Sequence, residues 1–200
     1  MNDAEVLATI HSVLSLMRDE LRAPCCPPLS RLMASLAFLD ATGAYYAGRK
    51  ADRDPCIRFV ASYLKCPDDF PTRDHYGLVL YDGVRSALLH NFNVRGLVGN
   101  RRSPDISLAE LRQAHHSRAS DGTLTLVPDC FAEDVVNALD RYENDLSGAK
   151  SQVHIALART VLGIHKPLEV RVDPLDAQVQ ISGVFGSNLS RPFWTFNSQK

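Results

Sequence analysis

The sequence predicts a mainly α protein: a bundle of four or five helices with an inserted β-hairpin and a small β appendage at its C-terminus. Three observations carry that prediction. Apolar residues recur at helical three- and four-residue spacing over most of positions 1–164. Prolines, glycines and capping residues punctuate those stretches at intervals suited to helices of ordinary length. Strict apolar alternation marks the tail, in Leu168, Val170 and Val172 and then in Val179 and Ile181.

The elements follow in order. Val6, Ile10, Val13, Leu14 and Met17 mark a first helix over about the first 22 residues, with Asn2 or Asp3 as its cap. The run Ala23-Pro24-Cys25-Cys26-Pro27-Pro28 breaks it, since proline removes backbone donors and fixes φ. Ser30 is expected to cap a second helix through about Ala47, carrying Leu32, Met33, Leu36, Leu39, Ala44 and Tyr45. The charged stretch Arg49 to Asp54 links it to a third. Asp54-Pro55 has the form of a helix start, and Ile57, Val60, Ala61 and Leu64 form the expected buried face. A fourth helix is expected from near Thr72 to about Phe92. It is apolar nearly all round, so it belongs at the centre of the bundle, and Gly77 and Gly83 within it suggest close packing.

Asn93 to Ser107 reads as a loop. His115 to Ser120 and Thr123 to Val127 flank Asp121-Gly122, a strong hairpin signal. Pro128-Asp129 opens a fifth helix with Phe131, Val135, Val136, Leu139, Tyr142 and Leu146 on one face. Apolar spacing resumes after Gly148 at Val153, Ile155, Leu157, Val161 and Leu162, as one bent helix or two. The alternating tail is a second hairpin candidate around Asp173-Pro174-Leu175-Asp176, ending in Phe193, Trp194 and Phe196. The expected domain division is a bundle over 1–150 and a helical extension with a hairpin and aromatic tail over 151–200.

Composition narrows the function classes. The 200 residues are 45% hydrophobic and 22% charged, with 22 Lys+Arg against 23 Asp+Glu. Such a chain is neither disordered nor wholly basic. No run reaches the ~18–20 apolar residues of a membrane span, and the acidic N-terminus does not resemble an export signal. A cytoplasmic location without membrane contact is expected. Five cysteines, two of them adjacent and none in a C-x-x-C pair, suit reduced thiols better than bridges or zinc ligands. No glycine-rich nucleotide loop is present, and no cofactor or metal is expected. The adjacent His115 and His116, placed on a strand, are expected to point to opposite faces and so not to share an ion. Tyr45 and Tyr46, which could stack bases, are expected in the core or at an interface.

One segment concentrates polar chemistry: Tyr81-Asp82-Gly83-Val84-Arg85-Ser86-Ala87-Leu88-Leu89-His90-Asn91-Phe92-Asn93. Arg85 and His90 stand in an otherwise apolar helix, where a charge requires a partner. In an α-helix they lie about 140° apart and about 7.5 Å along the axis. They do not share one stripe, yet both can border one cleft. Arg85 can pair with Asp82 or with an acid on another helix, and His90 can be a hydrogen-bonded core histidine. Beside this segment, Arg95, Arg101, Arg102, Arg112 and Arg118 stand against Asp105 and Glu110, a local positive excess suited to phosphates. Ser86 and His90 are four residues apart, but no acid or nucleophile elbow completes a serine triad.

The spacing Arg85-x4-His90, the bundle context and the helix Phe131 to Tyr142 resemble the HEPN superfamily (higher eukaryote and prokaryote nucleotide-binding domains), whose motif is R-x4-6-H. The resemblance runs from about Ser30 to Leu146. Ser86 departs from it, standing where active members often carry Asn, Asp or His. The resemblance implies metal-independent RNA cleavage. Arg85 would hold the scissile phosphate through a forked contact, and His90 would serve as general acid or base. The RNA 2′-OH would attack the adjacent phosphate to give a cyclic product. Ser86, Asn91, Asn93, Arg95 and Arg101 are the expected substrate contacts. The same resemblance implies a homodimer across the motif helix, RNA or a nucleotide as ligand, and an antitoxin-like protein partner. The competing expectation is a non-catalytic dimeric scaffold or interaction protein.

Overall fold

In a computed structural model the described residues are 1–68, 70–86, 88, 106–108, 112–117, 124–148, 151–164, 169–173 and 178–182. They are mainly helical. Asp3–Arg22 (α1) begins with a reciprocal capping box. The Asn2 side chain accepts from the Glu5 amide, and the Glu5 carboxylate accepts from the Asn2 amide, both at 2.9 Å. Val6, Ile10, Leu14, Met17 and Leu21 form its buried stripe.

Pro28–Ala47 (α2) starts two residues before the expected cap. Pro28 occupies a first-turn position, where its missing N–H costs nothing, so Ser30 lies inside the helix and caps nothing. The helix ends at Gly48, whose φ of 68° is the left-handed conformation that lets its N–H bond Ala44 O. Arg53–Tyr63 (α3) likewise starts earlier than Asp54-Pro55 suggests. Asp52 is the cap, and its carboxylate accepts from the Arg53 amide. The buried face of α3 is Cys56, Phe59, Val60 and Tyr63; Val60 and the following Leu64 are buried as expected, while the face is turned so that Ile57 and Ala61 are only half-buried. The rotation has a steric cause. A Cβ on Gly43 would lie 2.8 Å from Pro55 O and 2.9 Å from Cys56 Cα, so α2 and α3 touch backbone to backbone there.

Arg73–Leu78 (α4), capped by Thr72, is α-helical for six residues only. Val79–Arg85 continues it as a π-helix, where the sequence predicts one unbroken α-helix; the expected end of that helix at Phe92 lies outside the described residues. The wider turn shows at its end. Both the amide and the hydroxyl of Ser86 bond Tyr81 O, five residues back. Gly77 does mark close packing, because a Cβ there would meet Ile57 Cα at 3.2 Å. Gly83 does not, its nearest neighbour being Val79 Cγ1 at 4.0 Å.

Pro128–Ser147 (α5) buries Phe131, Val135, Val136, Leu139, Tyr142 and Leu146 as its pattern predicts. Gly148 then closes it, and Ser151–Ile164 (α6) is a separate helix. Ile155 and Ala158 of α6 join the same core as α1–α5. Val153 is exposed, contrary to its expected place on the apolar face; His154 is buried instead. α2 packs on α3, α5 and α6, and α1 packs on α5 and α6.

The inserted hairpin is not the pairing found among the described residues. Leu124–Leu126 (β2) pairs in parallel with Ile106–Leu108 (β1). The expected first arm, His115 to Ser120, follows a short 3-10 turn at Arg112–Ala114; its described residues, 115–117, are not a strand, yet their backbone groups reach β2, the His116 amide bonding Thr125 O and the Thr125 amide bonding Ser117 O. Asp121-Gly122 lies outside the described residues. In the tail, Glu169–Asp173 (β3) pairs antiparallel with Gln178–Ser182 (β4), Val170 opposite Ile181 and Val172 opposite Val179. The linking Pro174 and the aromatic residues Phe193, Trp194 and Phe196 lie outside the described residues.

Candidate functional site

The π-helical segment delivers Arg85 to α2. Its Nη2 donates to Asp40 Oδ2 at 2.7 Å, and the guanidinium carbon sits 4.9 Å from the centre of the Tyr81 ring. The Arg85 side chain is 23% exposed and that of Asp40 11%. Of the two pairings open to Arg85, the interhelical one forms. Asp82 is taken by Arg53 of α3, in a forked contact of Nε to Oδ1 at 2.9 Å and Nη2 to Oδ2 at 2.8 Å. Ser86 is adjacent, but its hydroxyl is turned back onto the Tyr81 carbonyl.

Part of this polar spot is sealed from solvent. Asp40 Oδ1 and Arg85 Nε are both buried and have no hydrogen-bond partner among the described residues. The pair is therefore singly bonded where a guanidinium and a carboxylate can bond twice. The Cys56 thiol beside them is pushed up to about 12, by burial first and then by the Asp40 charge, with Arg85 opposing. It is inert as a nucleophile. Burial, and then Asp40, also raises the Tyr81 hydroxyl, so Tyr81 offers a ring and a proton rather than a phenolate.

Asp40 is the residue that the sequence reading missed. A signal for it existed: it is the lone acid in the apolar run Leu32 to Ala44, just as Arg85 is the lone arginine or lysine in its own. His90, Asn91, Asn93, Arg95 and Arg101 lie outside the described residues. Of the expected site, Arg85 and Ser86 are the residues whose surroundings are described. Arg112, counted in the local positive excess, is neutralised by a two-pronged contact with Glu133 of α5.

A second polar cluster lies where β2 meets α5. The histidine pair does not point to opposite faces, because it is not on a strand. His116 has φ 65°, and the two imidazoles stack at 3.8 Å. His115 Nε2 lies 3.0 Å and His116 Nε2 3.8 Å from Asp134 Oδ2, while the Tyr76 hydroxyl is 2.9 Å from His116 Nε2. Those separations suit three ligands of one divalent ion. The hydrogen bonding favours another use. The Val127 amide donates to His115 Nδ1 at 3.1 Å, which puts that ring's proton on Nε2, aimed at Asp134. A protonated Nε2 has no lone pair for a metal. The cluster clasps residues 115–117 to α4 and α5. None of the five cysteines is in a disulfide.

No protein-family model, curated protein or solved structure matches this chain. The resemblance drawn from Ser30 to Leu146 therefore rests on those residues alone. No described helix is long and apolar enough to cross a membrane.

Proposed function

We propose that this chain binds RNA at a cleft beside Arg85 and cleaves its backbone without a metal ion. The observation that carries the reading is the state of Arg85. Asp40 and the Tyr81 ring hold the side chain in one place, yet 23% of it is exposed, and its Nη1 has no partner among the described residues. A guanidinium fixed on one side and open on the other is suited to a phosphate oxygen. In this reading His90 moves the proton between the 2′-OH and the leaving oxygen, while Ser86, Asn91, Asn93, Arg95 and Arg101 contact the strand. The protein acts in the cytoplasm as a homodimer of helical bundles, with an antitoxin-like protein restraining it.

A second reading has an observation of its own. Asp40 already neutralises Arg85, and a paired guanidinium attracts phosphate less than a lone one, which favours a dimeric scaffold or interaction protein. The experiment that separates them is incubation of the purified protein with a mixed RNA pool in EDTA, beside Arg85→Ala and His90→Ala. Cleavage by the wild type, lost in both variants with their folds intact, supports the first reading. An inert wild type that also fails to bind RNA at low salt leaves the scaffold.

A further inference from the structure

Where the ends of α2, α3 and α5 meet the start of α6, the surface opens into a pocket of about 320 Å³ lined by Tyr46, Ser62, Tyr63, Asp145, Val153 and His154. Its walls are aromatic. The Tyr46 ring stands at 88° to that of Tyr63 with centres 5.6 Å apart, and lies against His154 at 5.6 Å and 28°. Tyr142, fully buried behind the lining, packs edge-on against both, at 81° to Tyr46 and 70° to Tyr63, and holds the two rings in place. Asp145 supplies the carboxylate. Its Oδ2 accepts from the Tyr63 hydroxyl at 2.8 Å, which fixes the acid at the mouth and leaves Oδ1 without a hydrogen bond among the described residues. Burial and that bond both push the Tyr63 hydroxyl up from its ordinary value, so it stays a donor. The Tyr46 and Ser62 hydroxyls bond each other at 3.1 Å, which uses one of their two protons. Imidazole aside, Asp145 is the one charged group in the lining.

We infer that this pocket is a binding site for an organic ammonium ion. Aromatic rings attract cations through their quadrupoles, a carboxylate attracts them by charge, and no arginine or lysine lines the pocket to oppose either. An uncharged ligand gains only contact with Val153 and the rings. An anion meets the negative field of Asp145. The volume admits a small alkylammonium group. The site is independent of Arg85, and its test is independent of RNA cleavage.

The probe is choline, titrated into the full chain and followed by calorimetry, with its uncharged carbon isostere dimethylbutanol alongside. Saturable one-to-one choline binding is expected, with dimethylbutanol roughly tenfold weaker or worse. Asp145→Asn keeps an oxygen for the Tyr63 hydroxyl but removes the charge, and should weaken choline by about the same factor at unchanged melting temperature. No saturable choline binding overturns the proposal. Equal affinity for the two ligands, or an Asp145→Asn variant that binds choline as the wild type does, overturns it equally.

Discussion

Removing Asp40 tests how the bundle tolerates a charge at its centre. Asp40→Ala deletes the one carboxylate bonded to Arg85 and leaves a guanidinium whose Nε is already buried and unpartnered. Breaking a fully buried pair from one side costs about 3–5 kcal/mol, whereas an exposed pair is worth about 0–1 kcal/mol. With 23% of Arg85 and 11% of Asp40 exposed, this pair falls between those limits, and the freed guanidinium can turn partly to water. The expected loss is about 2 kcal/mol, which for a chain of this length lowers the melting temperature by roughly 4–8 °C. The double substitution Asp40→Leu with Arg85→Met leaves no charge behind, and replacing a buried pair by apolar groups is often neutral or better. It should cost less than Asp40→Ala alone. Urea unfolding followed by circular dichroism, with Arg85→Met completing the cycle, measures this directly. If Asp40→Ala were silent, or the double variant were the least stable of the set, the account of Arg85 as a charge dependent on Asp40 would be refuted.

Two other expectations concern α5. The Tyr142 hydroxyl is fully buried with no hydrogen-bond partner among the described residues, so Tyr142→Phe should be neutral or stabilise by up to about 1 kcal/mol in the same urea assay; a clear loss would reveal a partner that the geometry does not provide. Glu143 is held below its ordinary range chiefly by the hydrogen bond from Arg18, with His11 adding to it at 2.5 Å and burial opposing. A carboxyl with a lower folded than unfolded pKa contributes stability above its unfolded value of ~4.3, and that contribution is lost as the pH falls through the lower folded value. The melting-temperature gap between wild type and Glu143→Gln should therefore be full at neutral pH and close under acid, and a gap that stays constant down to about pH 3 would contradict it.

The helices were legible wherever one face alone is apolar. The spacing Phe131, Val135, Leu139, Tyr142, Leu146 named the buried side of α5 without error, because burial of one stripe is what that spacing encodes. The first turns were less legible. Ser30 and Asp54 are good capping residues, but the chain starts α2 and α3 earlier, on Pro28 and Asp52, since proline at the first position and an acid before Arg53 satisfy the same helix ends. The π-helical turn at Val79–Arg85 left no trace in periodicity, as a segment apolar on every side has no stripe to shift. The parallel pairing of β1 with β2 was hidden for a different reason. A turn signal such as Asp121-Gly122 reports that the chain can reverse locally, not which distant strand the returning segment joins.

The histidine pair and Arg85 show the same limit at the level of chemistry. Alternation along an assumed strand sent His115 and His116 apart, whereas one residue with positive φ set them side by side on Asp134. Nothing in the pair itself announces that conformation. For Arg85, by contrast, composition along the helices contained the answer. A bundle that buries one lone base in an apolar helix must bring an acid to it, and the search can be limited to acids in equally apolar helices. Asp82, in Arg85's own segment, meets that criterion too, and its exposed position, where Arg53 reaches it, sets it aside. Asp40, between Leu39 and Ala41 on α2, meets it. The partner of an isolated buried charge is thus better sought by the poverty of its surroundings than by its distance along the chain.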